Sequence, residues 1–463
     1  MVQEISESTD MLTIINNATI VNEGTQVRGA VIIDGDRIMD VLQQPLEQLE
    51  TFDTVIDGTD LYLLPGVIDE HVHFREPGYT HKADIATESR AAAAGGVTAF
   101  MDMPNTSPQT TTLEALEEKF RLGAEKSRIN YSFYFGATND NAHLLELLDR
   151  TRVPGVKVFM GSSTGNMLVD DSNALYRIFT ACAPQTGTGL TILAHCEDQA
   201  IINKNIEQLR KRFRGQNDFP VRYHSRIRST EACYSSSLAA VNLAKKTGAH
   251  LHLTHISSAK ELELLEPGDI ADKQITAEAV IAHLMFTHED YDHLGARIKC
   301  NPSVKSPEDR EALREALAAG IIDVVATDHA PHLLREKEGG ALRALSGMPM
   351  IQFSLVSMLE LSDQGYFPIE RVVELMSHNP ARLFHIDHRG FIRKGYYADL
   401  VLVDPMGRWQ VINGRYYTKC GWTPMDERTF KWRVRRTMVN GRTVYADGII
   451  VDGVRGEELR YCP

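Results

Sequence analysis

Two histidines, His71 and His73, stand two residues apart in the stretch Asp69-Glu-His-Val-His-Phe-Arg-Glu-Pro-Gly78. The stretch follows an apolar run, Leu63 to Ile68, that reads as a buried β-strand closed by a turn. Residues two apart on a strand point to the same side, so both imidazoles project together where the strand ends. That spacing suits a metal ion, although a pair of histidines is also an ordinary polar strand end. Further candidates recur at the ends of other strand-like runs: Lys157 in the fourth, His195 ending the fifth, His255 the sixth and Asp328 the eighth. Singly, His195 or His255 reads as a bonded core histidine, Lys157 as a snorkelling surface residue and Asp328 as an N-cap. Together, six potential ligands at the ends of five strands point to a metal centre. Four imidazoles and a carboxylate suit zinc or another borderline divalent ion, and the number of ligands suits two ions better than one. Lys157 is the odd member, because an amine of pKa about 10.4 would be a cation beside two dications. Carboxylation by carbon dioxide would reverse its charge and give a carbamate whose two oxygens bridge the metals.

Such ligands need a scaffold that brings strand ends to one mouth. Eight apolar strand candidates run through the middle of the chain, at 64–74, 98–105, 130–137, 155–161, 190–196, 250–257, 273–281 and 323–330. Helical patterns such as Glu114 to Lys126, Thr230 to Lys246 and Glu308 to Ala319 separate most of them. Ser306-Pro307 with Asp309 supplies an N-cap, a first-turn proline and an early carboxylate for the last of these. Eight alternations predict an α/β fold, a (β/α)8 barrel with its functional groups at the C-terminal ends of the strands. A doubly wound open sheet is the alternative, but no Gly-x-Gly-x-x-Gly fingerprint follows the first strand. The two ends differ from the middle. Leu12-Thr-Ile-Ile-Asn and Ala30-Val-Ile-Ile-Asp near one terminus, and Ala398 to Asp404 and Met438 to Tyr445 near the other, read as short strands, with Asn440-Gly441 a hairpin turn. They predict a small β-sandwich built from both chain ends, giving segments 1–62, 63–385 and 386–463. The Arg- and Lys-rich stretch from Ile206 to Ser229 and the stretch Leu333 to Leu345 read as loops, with Arg210 to Arg214 a solvated face.

Composition narrows the partners. The 463 residues are 43% hydrophobic and 24% charged, as in a soluble globular protein, and the net charge of −13 argues against nucleic acid or an anionic membrane as partner. An anionic small-molecule substrate remains compatible, provided local cations receive it. No apolar window approaches a membrane span, and the N-terminal residues lack the pattern of a secretory signal. The six cysteines are scattered, with no Cys-x-x-Cys pair, which predicts a reduced, cytoplasmic protein.

Several motifs together, DEHVHFREPG, DMPNT (102–106), VKVFMGSSTGNM (156–167), LAHCED (193–198), LTHISS (253–258), CNPS (300–303), ATDHAPH (326–332) and GYYADLVLVD (395–404), resemble those of the dihydroorotases within the cyclic amidohydrolase superfamily. The resemblance spans nearly the whole chain. It implies a binuclear zinc site, two Zn2+ bridged by hydroxide and by carboxylated Lys157, with His71, His73 and Asp328 on one ion and His195 and His255 on the other. It further implies Arg75, Asn105 and His332 as carboxylate-binding residues, Asn301 as the partner of the ring amide and Asp328 as the catalytic base. The implied reaction is the reversible cyclisation of N-carbamoyl-L-aspartate to L-dihydroorotate in pyrimidine biosynthesis. A homodimer and association with aspartate transcarbamoylase are expected on the same ground. The rival readings are a cyclic amidohydrolase acting on allantoin, a hydantoin or a dihydropyrimidine, and a catalytically silent scaffold. Arg75 argues against the first, since neutral rings offer no carboxylate, and the full ligand set argues against the second.

Overall fold

The computed structural model describes residues 11–161, 167–412, 414 and 416–462. From the N-terminus come β1 (Leu12–Asn22), β2 (Thr25–Asp34), β3 (Arg37–Leu42), β4 (Thr54–Asp57) and β5 (Tyr62–Pro65). The middle supplies β6 (Val67–Val72), β7 (Val97–Asp102), β8 (Asn130–Phe133), β9 (Phe135–Gly136), β10 (Gly155–Phe159), β11 (Thr191–His195), β12 (Leu251–Leu253), β13 (Ile275–Val280) and β14 (Val324–Ala326). The last stretch adds β15 (Leu400–Asp404), β16 (Trp409–Gln410), β17 (Thr429–Phe430), β18 (Arg433–Val439), β19 (Arg442–Ala446) and β20 (Ile449–Ile450).

Every strand expected in the middle is present, and all are parallel. They form one sheet in the order β6-β7-β8 and another running from β9 to β14 in sequence order. Only Tyr134 separates β8 from β9. At the other side β14 meets β6 through a parallel bridge between Val72 and His329, and His73 N–H donates to the His329 carbonyl at 2.8 Å. All residues of β6, β7, β8, β10 and β14 are buried. The lack of a polar alternation follows from that position, because helices cover a parallel sheet and leave no solvent face. The helix Pro307–Ala318 starts as expected, with Ser306 and Asp309 forming a reciprocal capping box.

Two local expectations change. The strand over 64–74 is two elements: Tyr62–Pro65 pairs antiparallel with β15, and Val67–Val72 turns into the parallel sheet. Gly66 makes the break possible, since a Cβ there would sit 2.1 Å from Thr98 Oγ1. The stretch from Ile206 is not all loop, because the helix Gln199–Arg212 runs into it. Ile202, Ile206, Leu209 and Phe213 keep a helical spacing that the surrounding charges obscure. Arg210, Lys211 and Arg212 occupy its last turn, where cations suit the helix dipole, and they face solvent as expected.

Both chain ends meet in one nine-stranded sheet, ordered β20-β19-β18-β15-β5-β1-β2-β3 with β4 beside β1. Ile15, Ile33, Leu63, Leu400 and Met438 share its apolar core. The hairpin at Asn440-Gly441 has φ of 49° and 73°, the left-handed pair that a tight turn between twisted strands requires. Asn130 of β8 ties the sheet to the middle, donating to Asp399 at 3.1 Å and accepting from Asn440 at 3.0 Å. Among the described residues no helix is long and apolar enough to cross a membrane.

Candidate metal centre

The strand ends converge as a metal centre needs. His73 Nε2 lies 3.0 Å and His71 Nε2 3.6 Å from Asp328 Oδ1, and one ligand atom from each of the three falls within 4.8 Å of the others. Opposite them, His195 Nδ1 faces His255 Nε2 at 2.9 Å. The rings of His71 and His255 are 5.4 Å apart, so the two groups adjoin. Lys157 is completely buried, and its amine donates to Thr254 Oγ1 at 3.1 Å. Burial pulls its pKa down to about 8, because low-dielectric surroundings disfavour the charged amine. The neutral amine, which a lowered pKa makes more available, is the form that adds carbon dioxide. His71 and His255 are likewise held well below the usual imidazole range, first by burial and then by neighbouring cationic groups, and neutral imidazole is the metal-binding form. This donor set, nitrogens and a carboxylate converging from separate strands, fits two adjacent divalent ions.

Three of the four rings are held from behind, and the fourth, His255, is held by its backbone. Glu278 Oε1 takes His71 Nδ1 at 2.9 Å and the His255 backbone N–H at 2.8 Å. Asn105 Oδ1 takes His73 Nδ1 at 2.7 Å. Glu197 Oε2 takes His195 Nε2 at 3.0 Å and is itself gripped by Arg228. An acceptor on one ring nitrogen keeps the proton there and leaves the lone pair of the other for a metal. Burial pushes Glu197 up, but the Arg228 charge and the His195 hydrogen bond outweigh it and bring its pKa down to about 2. Glu278 goes the other way: burial, then the neighbouring Glu70, push it well above the carboxylate range. The backbone also carries strain here, with Arg75, His255 and Asp328 at φ of 68°, 42° and 47°, a conformation that costs non-glycine residues about 1–3 kcal/mol.

Nine of the ten residues singled out from the sequence line a single pocket: His71, His73, Arg75, Asn105, Lys157, His195, His255, Asn301 and Asp328, together with Phe159, Ala330 and Ser346. His332 stands behind this lining, with Nε2 3.0 Å from Arg75 Nη2. Arg75 is 3% exposed, and its Nε donates to the Pro331 carbonyl at 3.0 Å. Asn301 Oδ1 faces His224 Nε2 at 3.1 Å, which turns the amide NH2 the other way. Of the motif at 156–167, residues 162–166 lie outside the described residues.

The sequence reading missed the groups behind the ligands. Glu278 and Glu70 are acidic residues inside buried strands, and both are themselves fully buried. An acid in such a run needs a buried partner, and that was the available signal. Lys82, hydrogen-bonded to His332 at 3.2 Å, and Trp422, whose indole donates to the His332 carbonyl at 2.7 Å, carried no spacing signal.

With this geometry in view, likeness to known proteins becomes informative. The sequence pattern of the Amidohydrolase family matches residues 62–444, and the chain belongs to that family. It is 35% identical over 441 residues to a protein of Halobacterium salinarum named dihydroorotase, covering 94% of this chain and 99% of that one. A dihydroorotase of Lactobacillus johnsonii is 30% identical over 441 residues, covering 95% and 100%. Among solved structures, an L-hydantoinase (dihydropyrimidinase) from Arthrobacter aurescens matches with a TM-score of 0.87 at 24% identity, over 95% of this chain and 97% of that one. A dihydropyrimidinase from Brevibacillus agri NCHU1002 matches with a TM-score of 0.85, also at 24% identity, over 95% and 96%. The two structures show a shared fold and no more.

Proposed function

We propose that this chain interconverts N-carbamoyl-L-aspartate and L-dihydroorotate, a cyclic amide hydrolysis run in either direction, with two zinc ions and a carboxylated Lys157. The observation that carries this reading is Arg75. Its guanidinium is buried at the edge of the ligand cluster, and among the described residues it forms no ion pair. A buried cation with a fork of donors is suited to a substrate carboxylate, which dihydroorotate has and the neutral rings of hydantoins and dihydropyrimidines lack. Relatives named dihydroorotase that match almost end to end support the same substrate. The rival reading, a neutral cyclic amide, would leave the buried Arg75 guanidinium without a carboxylate to receive.

His71, His73 and Asp328 would hold one ion and His195 and His255 the other, with the Lys157 carbamate between them. The ions would supply an acidified water as nucleophile and polarise the ring carbonyl. Arg75, Asn105 and His332 hold the carboxylate and fix the ring. Asn301, its oxygen turned to His224, offers its NH2 to the ring amide. Asp328 takes the proton of the attacking water and delivers it to the leaving ring nitrogen. Cyclisation needs Asp328 protonated at the start and hydrolysis needs it ionised. Cyclisation should therefore gain as pH falls and hydrolysis as pH rises, and profiles rising in the same direction would contradict this role.

We also infer that residues 63–385 form a closed (β/α)8 barrel and that 1–62 and 386–463 form a β-sandwich, the β14–β6 bridge and the shared terminal sheet being the support. A cytoplasmic homodimer associated with aspartate transcarbamoylase rests on the family resemblance. The deciding assay is ring opening of L-dihydroorotate by zinc- and bicarbonate-replete protein, beside allantoin and dihydrouracil. Turnover confined to dihydroorotate is expected, and turnover of a neutral ring instead would overturn the substrate.

A further inference from the structure

We propose that Lys82 fixes the tautomer of His332, making that ring a hydrogen-bond donor to the substrate carboxylate beside Arg75. The inference rests on the reading of the pocket given above. Lys82 is 8% exposed and does not line the pocket, so it is a positioning residue. Its ammonium lies 3.2 Å from His332 Nδ1 and 3.0 Å from Glu336 Oε1. An ammonium only donates, so this bond requires the lone pair at Nδ1 and sends the ring proton to Nε2.

The other side of the ring agrees. Nε2 is 2.9 Å from the Ser346 carbonyl, which only accepts, and 3.0 Å from Arg75 Nη2, which only donates. With the proton on Nε2, both the lysine and the carbonyl are satisfied. With the proton on Nδ1, an N–H would point at the ammonium and the carbonyl would lose its donor, in return for one bond from Arg75. Double protonation is opposed by burial, then by Arg75, Lys337 and Lys82 around a ring that is 0% exposed. The favoured tautomer thus sets one Nε2–H just behind the pocket lining, bonded to the Ser346 carbonyl and 3.0 Å from Arg75 Nη2, where a substrate carboxylate gripped by Arg75 shares it as a three-centre bond. Glu336 completes the device. It takes the Leu333 N–H at 2.8 Å and holds the Lys82 ammonium against the ring.

The test is Lys82→Met on the metal-loaded protein with 15N-labelled histidine. Two-bond 15N–1H spectra report each ring's tautomer, and the His332 signal is identified by its loss in His332→Gln. The wild type should show His332 protonated at Nε2, and Lys82→Met should move the proton toward Nδ1. KM for L-dihydroorotate should rise about ten-fold with kcat within about two-fold, the loss expected for one charge-assisted hydrogen bond, and Lys82→Arg should restore much of it. An Nδ1 proton in the wild type, or an unaltered Nε2 proton in Lys82→Met, overturns the proposal, even if that variant is less stable. Should the wild type not turn over L-dihydroorotate, the substrate reading fails, while the spectrum still decides the role of the lysine.

Discussion

The histidines on the two sides of this pocket are the same residue type put to opposite uses, and what stands behind each ring makes the difference. Behind His71, His73 and His195 are acceptor oxygens, from Glu278, Asn105 and Glu197. Behind His332 is an ammonium, Lys82. An acceptor draws the proton to the rear nitrogen and aims a lone pair at the pocket, which suits a metal. A donor leaves the proton on the forward nitrogen and aims an N–H at the pocket, which suits a carboxylate. Metal-facing and substrate-facing imidazoles are therefore told apart by their supports, of which only Glu197 lies close to its histidine in the chain.

The comparison breaks most completely at Asp328, the group shared by both functions. Asp328→Asn should lose turnover in both directions by about a thousand-fold or more while keeping its thermal midpoint, and near-normal activity would remove Asp328 from the mechanism. On the substrate side, Arg75→Met should raise KM for dihydroorotate by roughly a hundred-fold, the loss expected when a bidentate carboxylate contact goes. Its metal content should be unchanged, and a loss of zinc would mean that Arg75 belongs to the metal side instead. On the metal side, Glu278→Ala should weaken metal binding by about 10–100-fold, as lost ring supports do, with the KM of the fully loaded enzyme little altered. Equilibrium dialysis against zinc measures this, and an unchanged affinity would strip the rear acceptors of their role.

How much of this was legible beforehand follows from where each interaction lies along the chain. The parallel strands were readable because a strand buried on both faces is a largely apolar run, as in Ile192 to Ala194 and Val324–Ala326. The ligand positions were readable because they sit at the ends of those runs. Gly66 was not read as a break, because its reason is Thr98 on the neighbouring strand. The helix Gln199–Arg212 was hidden by a charged exposed face that lowers its apparent hydrophobicity. The supports were the least visible part. Glu278 is 207 residues from His71 and Lys82 is 250 residues from His332, so only the folded chain shows which ring each one serves.

The two acids behind the metal-facing rings supply the subtlest contrast. Glu197, with Arg228 beside it, has a pKa of about 2, below the value of about 4.3 it has in an unfolded chain. Between those values the unfolded state binds more protons, so the stabilisation is complete above about pH 4.3 and is lost as pH falls toward 2. Glu278, crowded by burial and Glu70, is raised instead. A raised carboxyl keeps its proton in the fold after the unfolded chain has released it, so its contribution falls as pH rises above the unfolded value. In metal-free protein, Glu197→Gln should cost about 3 kcal/mol at pH 6 and distinctly less near pH 3. Glu278→Gln should show the reverse trend, becoming more favourable relative to wild type as pH rises. Urea midpoints at the two pH values decide the matter. Parallel trends in the two variants would mean that the acids behind His195 and His71 share one electrostatic environment, and that the contrast between an arginine-backed and a carboxyl-backed support is wrong.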